Sequence, residues 1–473
     1  RLLQGQRGMD AAEAMRLAAD LGHVLDQLLI EEKSVKDLRS VELAEGLSEH
    51  WENALELLTL VLSLWPAELE KRGVIDLADR RNRLLHRVAD RWRTAPPPGF
   101  VIAAGVSTGA PAVTTLLKTV AFMPKGQVVL AGVDHHMPDA EWDAIGGEGG
   151  QPPIETHPQF HLRQILDRMG VARAEVRPWR YGSDTDAAPA RSRAISNALA
   201  PARFTDKWVD LKASEKQLSG VHAIEVATPA DESQAVALTI RHALGSDGTV
   251  ALVTPDRMLA RRVSAHLRRW GIEADDSAGR PLSTTPPGML LLTLVTAAVE
   301  QFSPVPLLAL LKHPLVAGGR DRLDWLDDAR ALDRALRGPR PAPGLSGVTA
   351  FLRDGEARTA TLRATALEAW EKMRPLLEPI ESAFAGKADL AELLAALRVA
   401  LETLAGDTVW AGEAGRALAD LFTGLEGASG DGPAAVHIAS LPLLIRQLID
   451  GVTSPARGGH PRVFIWGVLE ARL

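Results

Sequence analysis

The fold class is decided by the stretch Val101-Ile-Ala-Ala-Gly-Val-Ser-Thr-Gly109, in which an apolar run of strand length ends in a glycine-rich turn. A helical pattern follows at 113–120, and a second apolar run comes after it at Gln127-Val-Val-Leu-Ala131. Two strands joined by a helix are the repeating unit of parallel α/β sheets. The sequence therefore predicts an α/β fold.

A second set of α/β elements is predicted further along the chain. Strands are expected at 223–227 and 249–253, and helices at 231–244 and 256–270, from the alternation of short apolar runs with amphipathic segments. This order again favours a parallel sheet, so the chain is expected to contain two α/β lobes.

Helical periodicity predominates at 10–93 and from about 287 to 425, and strand character returns at Val436-His-Ile-Ala439 and at Val463. A chain of 473 residues is expected to fold as several packed units. The predicted division is a helical block at 1–97, the end of a first lobe at 98–220, the start of a second lobe at 221–290, a helical insertion at 291–430 and a return to the second lobe at 431–473.

The composition is that of a globular protein, with 46% hydrophobic and 24% charged residues, and it argues against a membrane protein. The net charge of −7 means that any affinity for nucleic acid must come from local patches. The absence of cysteine excludes disulfides, thiolate zinc sites and iron–sulfur ligation within this chain, and suits a cytoplasmic location.

The two ends of the sequence suggest that it is an internal part of a longer protein. It begins at Arg1 rather than methionine, and no secretory signal pattern is present near that end. The last residues read as a strand at Val463 with its following loop, and a buried strand needs further structure to cover it.

The turn Gly105-Val-Ser-Thr-Gly-Ala-Pro111 is the best candidate for a phosphate-binding loop, because it leads from a strand into a helix. It has neither the spacing nor the lysine of a nucleotide-binding P-loop. Ser107 or Thr108 can cap the helix that follows, or can contact a phosphate of DNA.

A second turn, Leu130-Ala-Gly-Val-Asp-His-His136, follows the next strand and carries Asp134 and His136, which are suited to acid–base chemistry or to hydrogen bonds within the loop. Candidate metal ligands are His135, His136, His157 and His161. Pro158 directly follows His157, so the last two straddle a helix start, and we predict no metal site.

The helix predicted at 256–270 has a basic face, because Arg257, Arg261 and Arg268 fall on one stripe at 100° per residue. Leu259, Val263, Leu267 and Trp270 fall on the opposite side. Thr254 is expected to be its N-cap and Pro255 its first residue. The stripe is either a solvated face or a surface for phosphate groups.

Several stretches, in the same order, resemble the AddB family of bacterial helicase–nuclease subunits in its alphaproteobacterial form. They are Val101-Ile-Ala-Ala-Gly-Val-Ser-Thr-Gly109, Gly126-Gln-Val-Val-Leu-Ala-Gly-Val-Asp134, His157-Pro-Gln-Phe160, Leu252-Val-Thr-Pro-Asp-Arg257, Asp275-Asp-Ser-Ala-Gly-Arg-Pro-Leu282, Lys312-His-Pro-Leu315 and Leu469-Glu-Ala-Arg472.

This resemblance implies a degenerate superfamily 1 helicase-like fold, with two RecA-like parallel-sheet lobes and large helical insertions. It also implies a complex with the AddA helicase–nuclease subunit that processes double-strand DNA breaks for recombinational repair, with single- and double-stranded DNA as partners. The iron–sulfur cluster and magnesium of such proteins would belong to a nuclease domain beyond this chain, so no cofactor is expected within it.

The sequence departs from the helicase pattern at positions that are needed for ATP hydrolysis. The metal-binding carboxylates expected near Gly105 are missing, Thr254 stands where an arginine would sense ATP, and His136 stands where a glutamine is usual. Without them a phosphoryl-transfer site loses most of its catalysis. The resemblance therefore implies a non-catalytic, DNA-binding region.

The resemblance does not map individual DNA contacts, so those candidates come from position alone. They are Ser107, Thr108, His136, Arg257, Arg261 and Arg268. Two alternatives stay open. One is an active nucleotide-dependent helicase lobe that uses Ser107, Thr108 and Asp134, and the other is an unrelated α/β enzyme that binds a small ligand at the carboxyl edge of its sheet.

Overall fold

A computed structural model describes residues 11–34, 37–38, 48–147, 151–179, 189–216, 218, 220–318, 321–354, 360–385, 389–428, 436–455 and 459–472. The chain is a mixed α/β protein, mostly helical with small parallel sheets, which confirms the predicted class. It divides into two compact units, one of residues 21–226 with 472–473 and one of residues 1–20 with 227–471. In the described part of the chain, no helix has both the length and the apolar content needed to cross a bilayer.

The unit of residues 21–226 is organised around a two-stranded parallel sheet. Its elements, with a first helix that begins before residue 21, are α1 (Ala11–Ile30), α2 (Ser48–Arg72), α3 (Leu77–Thr94), β1 (Val101–Ala104), α4 (Pro111–Phe122), β2 (Gly126–Val129), α5 (Asp139–Ile145), α6 (Phe160–Met169), α7 (Pro189–Ala198), α8 (Lys207–Asp210) and α9 (Ala213–Lys216).

The predicted strand–helix–strand motif is confirmed in this unit. β1 and β2 pair in parallel, with Ala104 opposite Val129, and α4 makes the crossover between them. One face of the sheet packs on α4 and α6 through Leu117 and Ile165. Gly126 has no room for a side chain, because a Cβ there would lie 1.8 Å from the carbonyl oxygen of Val120. That contact lets β2 begin directly after the crossover helix.

The other unit contains a three-stranded parallel sheet and a large helical segment. Its elements are α10 (Pro229–Ala243), β3 (Val250–Val253), α11 (Arg257–Arg268), β4 (Asp275–Asp276), β5 (Arg280–Pro281), α12 (Pro286–Val299), α13 (Pro304–Leu311), α14 (Arg322–Ala335), α15 (Gly344–Arg353), α16 (Ala360–Phe384), α17 (Leu390–Ala405), α18 (Gly412–Ala428), α19 (Leu441–Asp450), β6 (Thr453–Ser454) and β7 (Val463–Trp466).

The strand order of this sheet is β3-β7-β4, and both pairings are parallel. The chain therefore leaves the sheet after β4, forms the helical segment, and returns at β7 to fill the central position. Val463 and Ile465 of β7 are buried against α10 and α11. β5 and β6 form a separate antiparallel pair at the two ends of the helical segment.

The helical segment packs around α12, whose sequence is apolar almost all round. A helix of that kind is stable only when neighbouring helices cover every side of it. Leu290, Leu294 and Val295 are fully buried in the largest hydrophobic cluster, which also takes in residues of α13 to α19. Trp370 of α16 is fully buried there, and its indole N–H donates to the hydroxyl of Thr349 at 2.9 Å.

Two predicted strands are wrong. Residues 223–227 form no strand in the described chain, and Ile224 and Val226 are exposed. Strand propensity alone does not form a strand without a neighbour to pair with. At 436–439 the chain instead enters a 3-10 turn, Ile438–Ser440, that leads into α19. Pro442 in the first turn of α19 favours a helix start there.

Arg398 joins α17 to α18. Its Nε and Nη2 atoms donate to the carboxylate of Glu426 at 2.8 and 2.9 Å, and its guanidinium lies 5.4 Å from the Trp410 ring and 5.3 Å from the Phe422 ring. The hydrogen bond to Glu426 raises the pKa of Arg398, and this outweighs the opposing effect of burial. One side chain therefore combines a bidentate ion pair with two cation–π contacts.

Replacing Arg398 by alanine is expected to lower the free energy of unfolding by about 1–3 kcal/mol, because the ion pair and both ring contacts are lost together. The control is Arg416→Ala, which removes an exposed pair with Glu413 on α18 and should cost less than about 1 kcal/mol. Urea unfolding of both variants checks this, and equal losses would contradict it.

His313 follows α13 and is buried. Its Nδ1 atom accepts a hydrogen bond from the Leu315 N–H at 3.3 Å. Arg322 donates to the carbonyl oxygens of Lys312, His313 and Val316. Burial lowers the pKa of His313 below its ordinary value of 6.5, and the charge of Arg322 lowers it further. The neutral imidazole therefore belongs to the folded state.

Acidification is expected to destabilise the unit through His313. As the pH falls below 6.5 the unfolded chain takes up this proton first, so the contribution to stability is complete above 6.5 and is lost towards the lower folded pKa. His313→Gln should reduce the pH dependence of urea unfolding between about pH 7.5 and pH 5.5. The exposed His242→Gln is the control, and an unchanged slope in His313→Gln would refute the assignment.

Candidate functional site

Three of the predicted site residues lie at one edge of the β1–β2 sheet. Because the strands are parallel and Ala104 pairs with Val129, the turns that follow them, 105–110 and 130–137, leave the sheet at the same edge. Ser107 and Thr108 belong to the first turn and His136 to the second, and all three are exposed. Ligands of parallel α/β sheets bind at edges of this kind.

The turn after β1 begins with Gly105, which has a φ of 69° that favours glycine. The Thr108 hydroxyl accepts from the Ala110 N–H at 3.3 Å, and Ala110 is the N-cap of α4 without a side-chain hydrogen bond. The expectation that Ser107 or Thr108 caps the helix is therefore wrong. Thr108 instead stabilises the turn that precedes the helix, because its hydroxyl accepts a hydrogen bond from the N–H of Ala110, the N-cap residue.

Asp134 closes the second turn through its own backbone. Its Oδ1 atom accepts from the N–H groups of His136 at 2.8 Å and Met137 at 3.0 Å. The Gln159 side chain accepts from the Asp134 N–H at 3.0 Å and donates to the Gly132 carbonyl oxygen at 2.9 Å. The Asp134 carboxylate thus contacts the backbone of His136 rather than its imidazole. Its hydrogen bonds hold the turn in shape.

Gln159 and two arginines were not predicted as parts of this edge. Arg173 donates to the carbonyl oxygens of Asp134 and Met137 at 3.2 and 2.8 Å. The guanidinium groups of Arg173 and Arg163 lie 5.0 and 5.6 Å from the Trp142 ring. Their sequence positions gave no signal, because each meets the turn only through the tertiary fold.

Arg163 is fixed by carboxylates as well as by the ring. It forms ion pairs with Asp167 at 2.8 Å and Asp143 at 3.1 Å. Burial lowers its pKa, but the hydrogen bonds and charges of Asp167 and Asp143 outweigh burial, so the net shift is upward. Arg163 therefore remains a cation that braces α6 against the end of α5.

His157 is buried and uses both ring nitrogens. Nδ1 accepts from the Gln159 N–H at 3.1 Å, so Nε2 carries the proton and donates to the Leu199 carbonyl oxygen at 2.7 Å. α6 begins at Phe160, between His157 and His161. Within the described residues, no group of three or more His, Asp or Glu side chains is arranged to hold a metal ion.

A groove of about 1410 Å³ opens beside this edge. Ala103 and Val128 face α4 and α6, so by strand alternation Ile102 and Gln127 face the groove. Ile102 is 59% exposed. The sheet thus has one packed face and one open face, with His135, His136 and Trp179 among the other groove residues.

The predicted arginine stripe lies in the other unit, on α11. The N-cap of α11 is Asp256, whose carboxylate accepts from the Met258 N–H at 2.7 Å. The Thr254 hydroxyl accepts from the Asp256 N–H at 3.0 Å, before the helix. The prediction of Thr254 as N-cap and Pro255 as first residue is therefore wrong by two positions, because an aspartate is an equally good cap and lies closer to the helix.

The buried side of α11 is confirmed at Leu259, Val263 and Leu267. The basic side is largely neutralised. Arg257 pairs with Asp276, and Arg268 pairs with Glu273 at 3.0 Å. Arg261 is exposed and has no ion pair among the described residues. Two of the three arginines that were predicted to contact phosphate are therefore already paired with carboxylates of the protein.

No protein-family model matches the chain, and a search of curated proteins gave no significant match.

The role of Asp134 can be tested by a pair of substitutions. Asp134→Ala should accelerate amide hydrogen exchange at His136 and Met137, because these two N–H groups lose their acceptor, at a cost of about 1–2 kcal/mol. Asp134→Asn keeps an acceptor oxygen and should behave nearly as the wild type. Equal acceleration in both variants would show that the negative charge, rather than loop closure, is the property that matters.

Proposed function

We propose that this chain is a non-catalytic, DNA-binding part of an AddB-type subunit. In this proposal it works with an AddA-type helicase–nuclease subunit in the cytoplasm to process double-strand DNA breaks for recombinational repair. Its two units contain degenerate RecA-like lobes. The ordered motifs support the family, and the parallel α/β elements in each unit are compatible with it.

The observation that supports the proposal most directly is the scarcity of carboxylates at the β1–β2 edge. The turns 105–110 and 130–137 contain a single carboxylate, Asp134, and no lysine. The Oδ1 atom of that carboxylate accepts from two backbone N–H groups of its own turn. Phosphoryl transfer depends on carboxylates that hold magnesium and on cations that neutralise phosphate. An edge without them supports binding rather than hydrolysis.

The topology of the other unit also supports the proposal. The helical segment lies between β4 and β7, as expected for a second lobe interrupted by a helical insertion. Thr254, at the position where a helicase would carry an arginine, is buried and accepts a hydrogen bond from the backbone. It is therefore unsuited to contact a γ-phosphate.

The proposed contacts with DNA at the predicted residues are to phosphate oxygens. Ser107, Thr108 and His136 offer exposed polar groups at the β1–β2 edge, and Arg261 offers an exposed cation on α11. Such contacts carry no base specificity, so binding is expected to weaken as salt rises through counterion release.

Two measurements on the 473-residue chain test the proposal. Fluorescence anisotropy should show binding of a labelled oligothymidylate that weakens with increasing salt, and a phosphate-release assay with ATP, magnesium and DNA should show no turnover. Absence of binding even at low salt would count against a DNA-binding role. ATP turnover that is lost in Asp134→Asn would replace the proposal with an active nucleotide-dependent enzyme.

A further inference from the structure

Helix α3 concentrates positive charge in an acidic chain. Its 18 residues include six arginines and two aspartates, a formal charge of +4, whereas the whole chain carries −7. Both aspartates are already paired on the helix itself, Asp79 with Arg83 at 2.6 Å and Asp90 with Arg93 at 2.5 Å. The remaining arginines of α3 have no carboxylate of that helix left to neutralise them.

Three of those arginines form a row. At 100° per residue Arg80, Arg87 and Arg91 fall within an arc of about 40°, and they span about 16 Å along the axis. All three are exposed, and none has an ion pair among the residues that the structure describes. The buried residues Ala78, Asn82 and Ala89 lie on the opposite side of the helix.

The arginine row therefore points away from the packing of its own unit. α3 is held on its buried side, where the Asn82 side chain donates to the Leu29 carbonyl oxygen at 2.6 Å. Arg87 and Arg91 are four residues apart, a spacing at which like charges repel on a helix. A bound polyanion would remove that repulsion, whereas a neutral partner would not.

A pocket of about 410 Å³ lies between α3 and α4 at the carboxyl end of α3, where Trp92 directly follows Arg91, the last arginine of the row. It is lined by the rings of Trp92 and Phe122, and by the cationic side chains of Arg93 and Lys118. Phe122 is 70% exposed, which is unusual for a large apolar ring. Aromatic rings beside cations are the combination that binds unpaired bases together with their phosphates.

We propose that α3 and this pocket form a binding track for single-stranded nucleic acid. Arg80, Arg87 and Arg91 contact successive stretches of the phosphate backbone. The strand then passes around the last turn of α3, because Trp92 lies about 100° round the helix from Arg91, and Trp92 and Phe122 stack on bases. A duplex fits less well, because its bases are stacked internally and out of reach of these rings. The inference rests on the proposed DNA-binding function. It adds a second site to the unit of residues 21–226, separate from Ser107, Thr108 and His136.

The test compares two triple variants of the full chain in the oligothymidylate anisotropy assay. Arg80→Gln/Arg87→Gln/Arg91→Gln should weaken binding about tenfold or more and lower the log–log salt slope by about 2, from three lost contacts on a single strand. The control removes the same charge from the other unit, through Arg330→Gln/Arg334→Gln/Arg337→Gln, and should stay within about twofold of the wild type. Circular dichroism checks that each variant is folded.

The pocket is tested by Phe122→Ala, which removes an exposed ring without opening the core. It should weaken oligothymidylate binding by about fivefold to tenfold, while its weaker effect on duplex DNA identifies stacking as the cause. Equal loss for both nucleic acids, or no loss for either, would overturn the single-strand assignment.

The outcomes also separate this inference from the proposed function. Oligothymidylate binding by the wild type that is unchanged in the α3 variant refutes the track and leaves the proposed function standing. No binding by the wild type refutes both. Arginine-dependent binding to vesicles of phosphatidylserine and phosphatidylcholine, without binding to oligothymidylate, would assign α3 to an anionic lipid surface instead.

Discussion

Parallel strand pairing is the constraint on which the rest of the structure depends. Parallel strands cannot be joined by a tight turn, so each pair requires a crossover that brings the chain back to the starting edge. The crossover α4 therefore places the turns after β1 and β2 side by side. The same constraint brings β7 back between β3 and β4 after the whole helical segment. Both candidate edges are products of this geometry.

Elements with a strong local pattern could be predicted from the sequence. The runs that became β1, β2, β3 and β7 combine apolar residues with glycine or polar breaks. The amphipathic period of α11 identified Leu259, Val263 and Leu267 as buried, but it was wrong for Trp270, which lies beyond the end of the helix and is exposed. Residues 223–227 have a similar pattern but no neighbouring strand in the described chain, so propensity gave the wrong result. The start of α11 was misplaced because Thr254 and Asp256 are both good caps, and only the fold selects between them.

The candidate site was only partly visible in the sequence. Residue order was enough to place Ser107, Thr108 and His136 at strand ends. It could not show that Gln159 ties the second turn, or that Asp276 neutralises Arg257, since those partners meet only in the folded chain. The row on α3 is different. Its helical spacing and its internal pairs with Asp79 and Asp90 are local, so the same 100° rule that was applied to α11 would have found it.

The position of β7 affects how the protein folds while it is being synthesised on the ribosome. β3 pairs with β7, which lies roughly 200 residues further along the chain, and a contact between such distant residues closes slowly. The apolar helices after β4 are synthesised before β7 and can assemble first through nearby contacts. Until residues 463–466 emerge, β3 and β4 lack the strand that joins them. Their unpaired backbone edges can then pair with the wrong strand, which is how sheets misassemble and why such intermediates need chaperones.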